Sequence, residues 1–412
     1  MQHRIIVLGA GYTGASAAGR LARRLHRDDV AITVVNAEPD FVERVRLHQL
    51  AAGQDLRPRP FSELFAGTGV ALRLARVTGV DVDRKTVTVV GVGANGGIGA
   101  TGGAEELEYD TLVYALGSGW DDLGVPGAGE HAHEIASRPG ALRLRERLAA
   151  LDAGQPVVVV GGGLTGLETA TEVAETRPDL AVTVAVQGGL GEQLSDRGRG
   201  HLRKVFGTLG ITVLEHAAVT AVEADRVVTA DGTAVPAAVT VWTTGFAVHP
   251  IVRATALEAD DTGRIVVDGT MRSLSHPDVY AIGDAAMVTG PGGKPLRMSC
   301  ASGIPTAWQA ADAIAARLTG DRLPHASIRY FNQCISLGRG QGLIQYVTAD
   351  DRAVGAVLTG RLAALYKELV CKGAAWGVAH PTLGLPSRRR RVVPGATASP
   401  TRPDPAVEAS AA

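Results

Sequence analysis

The sequence has few aromatic residues and almost no net charge. Aromatic side chains make up 4% of its 412 residues, too few for a platform that stacks nucleic-acid bases. The formal net charge is -1, so no overall attraction to nucleic acid or to acidic surfaces is expected. These two shortages exclude nucleic acid as an expected partner.

Cysteine is also scarce. Cys300, Cys334 and Cys371 are too far apart for a C-x-x-C motif, which excludes a local redox dithiol and a zinc site evident from sequence, and fits a reducing cytoplasm. His131 and His133 form an H-x-H pair, but no third ligand lies nearby in the sequence, and we predict ordinary loop residues. No metal is therefore expected.

Long apolar runs are missing as well. Because no stretch of 18 or more apolar residues exists, a membrane-spanning helix is not expected. The N-terminal residues MQHRIIVLGAG enter a strand at once, without the apolar region and cleavage site of a secretory signal. We expect a cytoplasmic chain, with a peripheral place on the inner face of the membrane as the open alternative.

Glycine, by contrast, is abundant, with 52 residues. The pattern G-x-G-x-x-G occurs four times, as GAGYTG at 9–14, as GGGLTG at 161–166 and twice within 91–102. A phosphate-binding turn needs a strand before it and a helix that starts at its third glycine, because the free N–H groups and dipole of that helix hold the pyrophosphate. Only the first two copies meet this condition. The stretch 91–102 lies between two alternating strands, and we predict the tip of a hairpin.

Each qualifying turn belongs to a predicted βαβ unit. The predicted elements are strand 4–8, helix 15–25 and strand 31–35 in the first unit, and strand 156–160, helix 164–175 and strand 181–186 in the second. A polar residue about 20 positions after the turn is expected to meet the ribose. Asn36 or Glu38 has that place in the first unit, and Gln187 has it in the second. The sequence thus predicts an α/β fold with two Rossmann-like dinucleotide-binding domains.

Four segments resemble the two-dinucleotide-binding-domain flavoproteins of the pyridine-nucleotide oxidoreductase superfamily. They are GAGYTG at 9–14, TLVYALGS at 111–118, GGGLTGLE at 161–168 and HPDVYAIGDAA at 276–286. In that superfamily the first domain binds FAD and the second, inserted into the first, binds NADH or NADPH. The resemblance covers roughly residues 1–325 and implies that Asp284 contacts the flavin ribityl chain.

The resemblance also implies domain boundaries. We expect the FAD-binding domain at 1–150 and 266–325, the NAD(P)-binding domain at 151–265, a small C-terminal α+β region on the interface or acceptor side at 326–386, and a disordered tail at 387–412. The four arginines Arg388–Arg391 are expected to be solvated there.

Within the superfamily the chain resembles the type II NADH dehydrogenases. ERVRLHQLAAG at 43–53 is similar to their motif after the second strand, with His48 for an aromatic residue and Arg46 for a leucine. VWTTGF at 241–246 is similar to their strand end beside the nicotinamide. IPTAWQAADA at 304–313 is similar to the helix against the flavin and the quinone, but Trp308 stands where that family has glutamine, which leaves the electron acceptor open.

The resemblance implies roles for three side chains. Glu168 is expected to orient the nicotinamide; the alternative is an ordinary first-turn glutamate that complements the helix dipole. His48 and Arg46 are candidates for the flavin face, where a cation would stabilise the reduced flavin. The alternative for both is a surface or salt-bridged side chain.

The other predicted cofactor-binding residues follow from the same motifs. They are Gly9, Gly11, Tyr12, Thr13, Gly14, Asn36, Glu38, Gly117, Asp284 and Thr306 for FAD, and Gly161, Gly163, Gly166, Gln187 and Gly245 for NADH or NADPH. Gln187 cannot repel a 2′-phosphate as a carboxylate would, and no arginine follows directly to attract one. We therefore predict that kcat/KM favours NADH over NADPH by less than about tenfold.

Leucines recur at helical spacing late in the chain. Leu362, Leu365, Tyr366, Leu369 and Val370 form one stripe of a predicted helix over 362–370. We predict that this stripe lies in the core or in a homodimer interface; a membrane anchor is the less favoured alternative.

The predicted function is an FAD-dependent NAD(P)H:acceptor oxidoreductase. It passes a hydride from NAD(P)H to FAD and electrons on to a quinone-like small molecule. Two alternatives stay open: a flavin-dependent monooxygenase, oxidase or reductase of small-molecule biosynthesis, and a redox-sensing protein that binds FAD and NAD without turnover.

Overall fold

The computed structural model describes residues 1–93, 103–324, 327–384 and 388–394. Its strands are β1 (His3–Leu8), β2 (Val30–Asn36), β3 (Val70–Asp81), β4 (Thr86–Gly91), β5 (Glu105–Glu108), β6 (Thr111–Tyr114), β7 (Ser118–Trp120), β8 (Ala132–Glu134), β9 (Pro156–Val160), β10 (Ala181–Ala185), β11 (Thr212–Leu214), β12 (Val219–Val222), β13 (Arg226–Thr229), β14 (Ala234–Pro236), β15 (Val239–Trp242), β16 (Phe246–Val248), β17 (Ile265–Val266), β18 (Val279–Ala281), β19 (Ala286–Met287), β20 (Asn332–Ser336), β21 (Gly342–Val347) and β22 (Ala353–Thr359).

The α-helices alternate with these strands. They are α1 (Tyr12–Arg24), α2 (Leu47–Ala51), α3 (Phe61–Leu64), α4 (Ala128–His131), α5 (Arg138–Ala149), α6 (Leu164–Thr176), α7 (Asp196–Thr208), α8 (Cys300–Thr319) and α9 (Gly360–Ala379). The helices predicted after both glycine turns are confirmed.

Short apolar runs form the centre of the first sheet, whose strand order is β18-β6-β1-β2-β3-β4-β5. The strands from β18 to β3 pair in parallel, and β3, β4 and β5 pair antiparallel. Ile5, Val7 and Leu8 are fully buried, as expected for a parallel strand that is covered on both faces. Helices α1 and α8 pack together and share one core with this sheet.

The second sheet is wholly parallel, in the order β11-β10-β9-β15-β8. Strand β8 and helix α5 precede residue 151, so the predicted boundary there is wrong. The chain enters this domain after β7 and leaves it before β16, and these two strands pair antiparallel, with Trp120 opposite Phe246. The inserted domain therefore spans residues 121–245. Its first strand has only three residues, AHE, and no apolar run that would reveal it in the sequence.

The C-terminal α+β region is present as predicted. Strands β20, β21 and β22 form an antiparallel sheet, and α9 packs against it. Helix α9 is twice as long as expected, because the helical pattern continues through CKGAAWGVA after the apolar stripe.

The segment 388–394 is docked, which corrects the prediction of disorder for these residues; residues 395–412 of the predicted tail lie outside the described part of the chain. The backbone N–H of Arg390 donates to the Arg24 carbonyl at 2.9 Å, and the Arg390 carbonyl accepts from His26 at 2.9 Å. The Arg391 guanidinium lies 2.8 Å from the Asp29 carboxylate. These partners are far away in the sequence, so the arginine run alone gave no sign of them.

The glycine-rich stretch 91–102 joins β4 to β5. These strands pair antiparallel, with Val89 opposite Glu105, so the flanking strands are those of a hairpin. Residues 94–102 themselves lie outside the described part of the chain.

Candidate active site

The first glycine turn leaves the start of α1 open. Gly9 has a φ of +87°, and a Cβ at Gly14 would lie 1.9 Å from the Gly9 carbonyl oxygen, so both positions require glycine. A Cβ at Gly11 would meet nothing within 4 Å. No side chain caps the helix, so its first N–H groups are free to bind an anion.

The residues around this turn come from distant segments. A Cβ at Gly283 or Gly303 would approach the Thr13 methyl to 2.9 Å or 2.8 Å, so Thr13 packs against both glycines. The Thr306 hydroxyl accepts a hydrogen bond from Gly283 N at 3.1 Å.

The segment with Asp284 is held to the end of the first sheet. The Ser118 hydroxyl donates to the Asp284 carboxylate at 2.6 Å, and Gly117 beside it has a φ of +70°. The structure thus brings the predicted FAD-binding residues Thr13, Gly117, Asp284 and Thr306 to the same end of the first sheet.

Asn36 and Glu38 were alternative candidates for binding the ribose, and the structure gives them different environments. The Asn36 amide oxygen accepts from Ala10 N at 2.9 Å, and its amide nitrogen donates to the Glu38 carbonyl at 2.8 Å. Asn36 is therefore committed to holding the turn. The Glu38 carboxylate has no partner among the described residues, which leaves it as the group at this strand end that can bind a ribose hydroxyl.

The second glycine turn repeats the geometry of the first. Gly161 has a φ of +126°, a Cβ at Gly166 would lie 2.1 Å from the Gly161 carbonyl oxygen, and a Cβ at Gly163 would meet nothing within 4 Å. Helix α6 also starts without a side-chain cap. Here the turn borders a cavity of about 790 Å³, which we name the nucleotide cavity.

The two ends of the nucleotide cavity differ in chemistry. Gln187 and Glu192 line one end, and the Glu192 carboxylate accepts from Gly189 N at 3.1 Å. Arg297 and Asp351 line the other end and form an ion pair at 2.8 Å. Gly245 does not line the cavity, although its neighbour Thr244 does.

Two polar atoms at the Arg297 end are buried without a hydrogen-bond partner. They are Nε of Arg297 and Oγ1 of Thr244. Buried polar groups are normally satisfied, so these two atoms suit a polar ligand group such as a carboxamide.

Glu168 lies in a buried ion pair that its sequence context did not reveal. Its Oε1 accepts from Lys367 Nζ at 2.9 Å and from Ser336 N at 2.9 Å. Burial alone would raise the pKa of Glu168, but Lys367, His48 and the Ser336 N–H outweigh it and hold the pKa below its ordinary value. Glu168 is therefore a carboxylate, tied to the C-terminal region.

His48 lies beside this pair, with Nδ1 3.8 Å from Glu168 Oε2. Burial lowers the pKa of His48 to about 4, and its Nε2 has no partner in the described chain. At neutral pH the imidazole is uncharged, so His48 does not supply the cation that the prediction placed near the flavin.

Arg46 is salt-bridged, as the alternative for it proposed. Its guanidinium contacts Glu43 at 3.2 Å and Glu368 at 3.0 Å, and it donates to Gln49 Oε1 at 3.1 Å. The neighbouring Arg44 was missed. Its guanidinium has no ion-pair partner among the described residues, and a Cβ at Gly117 would lie 3.4 Å from it.

A second carboxyl is buried one turn further along α6. Glu172 accepts a hydrogen bond from Gln54, but its Oε2 is without a partner within the described residues. Burial raises the pKa of Glu172 to about 7. Neither Gln54 nor the burial is evident from the sequence.

Trp308 faces α1 rather than a cavity. The Arg20 guanidinium lies 5.6 Å from its ring centroid, and Arg20 also pairs with Asp312 at 2.7 Å. Trp308 lines neither of the two cavities described for this chain.

The leucine stripe of α9 is exposed, so the prediction of core is wrong. Leu362, Leu365 and Leu369 are 68%, 56% and 60% exposed, and Tyr366 and Val370 are partly exposed. No helix in the described ranges has both the length and the apolar character needed to cross a bilayer. Within the same ranges no group of three or more His, Cys, Asp or Glu side chains is arranged to hold a metal ion.

A mixed sheet and a parallel sheet, each with an uncapped helix start behind a glycine turn, are the architecture of a dinucleotide-dependent oxidoreductase. Residues 3–315 match the family model described as pyridine nucleotide-disulphide oxidoreductase, and the chain belongs to this family. The cofactors are accordingly FAD and NADH or NADPH.

Individual relatives agree with this assignment. The chain is 26% identical over 359 residues to the NADH dehydrogenase-like protein YutJ of Bacillus subtilis, which covers 86% of this chain and 95% of YutJ. It is 26% identical over 332 residues to the type II NADH:quinone oxidoreductase Ndh of Mycobacterium tuberculosis, covering 70% and 68% of the two chains. The structure of NDH2 from Plasmodium falciparum in complex with NADH superposes with a TM-score of 0.76 at 14% identity, covering 94% and 99%.

Proposed function

We propose that the protein transfers a hydride from NADH to FAD and passes the electrons on to a small quinone. The observation that carries the proposal is the pair of glycine turns, which leave two helix starts open for two dinucleotides. The relatives named for NADH and quinone support the donor and the acceptor. Bound FAD supplies the two-electron carrier between them.

The residues around the first turn fit FAD. The open start of α1 suits the pyrophosphate, the Glu38 carboxylate suits a ribose hydroxyl, and Asp284, oriented by Ser118, suits the ribityl chain. Arg44 lies beside Gly117 and has no ion-pair partner among the described residues, and we assign it the flavin-side role expected for Arg46 and His48. A cation there stabilises a reduced, anionic ring.

The nucleotide cavity fits NADH. The start of α6 suits its pyrophosphate, and Arg297 Nε and Thr244 Oγ1 suit its carboxamide. Glu168 lies one turn into α6, where its fixed carboxylate orients the nicotinamide and its pairing with Lys367 prevents neutralisation. Precise positioning of the two rings is the main contribution that a protein makes to hydride transfer.

Glu192 supports NADH over NADPH. It supplies a negative charge at the Gln187 end of the cavity, and no lysine or arginine from the described residues lines that end. A carboxylate there disfavours a 2′-phosphate by charge repulsion.

Anaerobic stopped-flow absorbance tests the function. NADH should bleach the flavin of the holoenzyme, and menadione should restore its colour over many cycles. A flavin that NADH does not reduce would leave only a binding or sensing role. A reduced flavin that does not react with quinones but reacts quickly with oxygen or with one metabolite would favour the alternative function, a monooxygenase, oxidase or reductase of small-molecule biosynthesis.

The exposed stripe of α9 is a contact face in this proposal, with a second copy of the chain as its first candidate. Light scattering of the wild type and of Leu362→Gln/Leu369→Gln tests this. A dimer that the variant loses supports the homodimer. A monomer whose binding to phospholipid vesicles the variant loses supports a peripheral membrane position instead.

A further inference from the structure

A second cavity, of about 320 Å³, lies between α2, the turn at residues 338–340 and the first half of α9. We name it the α9 cavity. Its lining includes Lys367 and Ser336, whose Nζ and backbone N–H both donate to Glu168 Oε1 at 2.9 Å. It is therefore placed next to the proposed site of electron transfer, and no step so far has used it.

The α9 cavity is lined by three cations and one carboxylate. The carboxylate, Glu368, is already shared between Arg46 at 3.0 Å, Lys372 at 3.3 Å and Arg339 at 3.8 Å. Arg361 has no hydrogen-bond or ion-pair partner among the described residues. The cavity thus has an excess of positive charge, and one arginine at its edge is free to bind an anion.

The deep side of the cavity offers a different kind of donor. The Gln49 amide oxygen accepts from Arg46, which fixes the amide orientation and leaves its nitrogen without a partner in the described chain. Gln49 is only 5% exposed and lines the cavity. A buried amide N–H that faces a cavity suits a neutral carbonyl oxygen.

The same cavity also has apolar or weakly polar lining. Ala364, Leu365 and Cys371 provide it from α9, on either side of the charged residues Lys367 and Glu368. A ligand that satisfies this arrangement has a carbonyl at one end, a planar apolar ring in the middle and a negative charge at the other end. The volume is at the lower limit of small-molecule sites, which fits one bicyclic ring system and not a long isoprenoid chain.

We propose that the α9 cavity binds the electron acceptor, and that this acceptor is a small quinone with an anionic substituent. The inference rests on the proposed function and adds the chemical class of the acceptor. The overall reaction is NADH + H⁺ + quinone → NAD⁺ + hydroquinone. The quinone gains two electrons and two protons, of which one proton comes from the solvent.

The test compares naphthoquinone sulfonate with menadione, a neutral quinone of the same ring size, on the FAD-loaded protein. The readout is the ratio of kcat/KM for the two quinones. We expect the sulfonate to be favoured in the wild type, and Arg361→Gln to lower the ratio about tenfold. High salt should lower the ratio of the wild type as well, since the contact at Arg361 is exposed.

Arg322→Gln is the matched control. Arg322 is also an exposed arginine with no partner among the described residues, but it lies after α8 and lines neither cavity. This variant should leave the ratio unchanged. Equilibrium binding of naphthalene sulfonate, which cannot be reduced, gives a second readout by calorimetry, and Arg361→Gln should weaken it about as much.

An equal preference for the two quinones in the wild type, or an unchanged ratio in Arg361→Gln, would overturn this inference. So would an Arg361→Gln variant that keeps the ratio but loses binding to vesicles of anionic phospholipid, because the arginine would then serve a lipid surface. Flavin reduction by NADH without any acceptor is measured in the same proteins. Its failure would refute the proposed function itself, whereas normal reduction with no preference for the anion refutes only the acceptor class.

Discussion

The first glycine turn is enclosed on one side by distant segments of the chain, whereas the second borders a cavity. Thr13 of the first turn packs against Gly283 and Gly303, and the Tyr12 ring meets Phe41 edge to face at 4.9 Å. The second turn has the same backbone geometry but borders about 790 Å³ of open space. The difference matches a cofactor that stays bound and a second one that leaves in each turnover.

The largest effect is expected at the third glycine of the enclosed turn. In Gly14→Ala the new Cβ would lie 1.9 Å from the Gly9 carbonyl oxygen, so the turn and α1 must separate. We expect loss of bound FAD and a decrease of more than about 4 kcal/mol in the free energy of unfolding. Flavin absorbance of the purified protein and urea denaturation measure the two effects.

The equivalent glycine-to-alanine substitution in the second, open turn is expected to affect NADH binding instead of FAD binding. In Gly166→Ala the Cβ would lie 2.1 Å from the Gly161 carbonyl oxygen, yet we expect FAD to stay and NADH binding to be lost. Gly200→Ala in α7, where a Cβ meets nothing within 4 Å, is the control and should be neutral or stabilising by up to about 1 kcal/mol. Equal loss of flavin in Gly14→Ala and Gly166→Ala would contradict the assignment of FAD to the first turn and NADH to the second.

The next largest loss of stability is expected at the buried ion pair of Glu168 and Lys367. Lys367→Met removes the cation that offsets the burial of Glu168, so the pKa of that carboxyl should rise. We expect a loss of about 3 kcal/mol in unfolding free energy. The double variant Lys367→Met/Glu168→Gln should recover part of it. Denaturation curves check both, and a single variant as stable as the wild type would contradict the buried ion pair.

Two further buried groups should give opposite dependences on pH. The pKa of His48 is about 4 in the folded protein and 6.5 ordinarily, so the folded state binds fewer protons and stability rises with pH over that window, by up to roughly 3 kcal/mol. The pKa of Glu172 is about 7 when folded and 4.5 ordinarily, so the folded state binds more protons and stability falls as pH rises over that window.

Substitutions separate the contributions of His48 and Glu172 to the pH dependence of stability. Compared with the wild type, His48→Gln should show a smaller gain in stability between pH 4 and 6.5, and Glu172→Gln a larger one between pH 4.5 and 7. Urea denaturation across this pH range provides the measurement. Slopes that change in the same direction for both variants would show that one of the two environments is misassigned.

The smallest effect is expected in the open cavity. Glu192→Gln removes the only carboxylate lining its Gln187 end in the described part of the chain, without disturbing any core residue. We expect the preference for NADH over NADPH to fall about threefold, with no change in stability. Steady-state kinetics with both nucleotides checks this. A hundredfold preference in the wild type would contradict the predicted limit of about tenfold.

Features that depend on local backbone geometry were predictable from the sequence. The requirement for glycine at Gly9 and Gly14 follows from a turn of six residues, and the helices and parallel strands around both turns follow from short apolar runs. The strand, rather than a helix, that follows the stretch 91–102 was also predictable, although residues 94–102 themselves lie outside the described part of the chain.

Features that depend on distant partners were not predictable. Arg46 and His48 looked like free cations because nothing nearby in the sequence announces Glu368 or the burial that keeps His48 neutral. Lys367 was not predictable either, because the leucines at helical spacing around it mark the opposite, exposed face of α9. The docking of Arg390 and Arg391 likewise depends on groups more than 360 positions away.

Strands β7 and β16 have a consequence for the modularity of the fold. They form one antiparallel ribbon whose last pair is Trp120 and Phe246. The inserted domain is connected to the rest of the chain at that end of the ribbon. Residues 121–245 therefore start and finish at neighbouring points in space. A short reverse turn would suffice to rejoin Trp120 to Phe246, but the core of the inserted domain also contains Leu47 and Ile335 from the rest of the chain. Removing the domain would therefore leave the polypeptide path intact and expose those buried side chains.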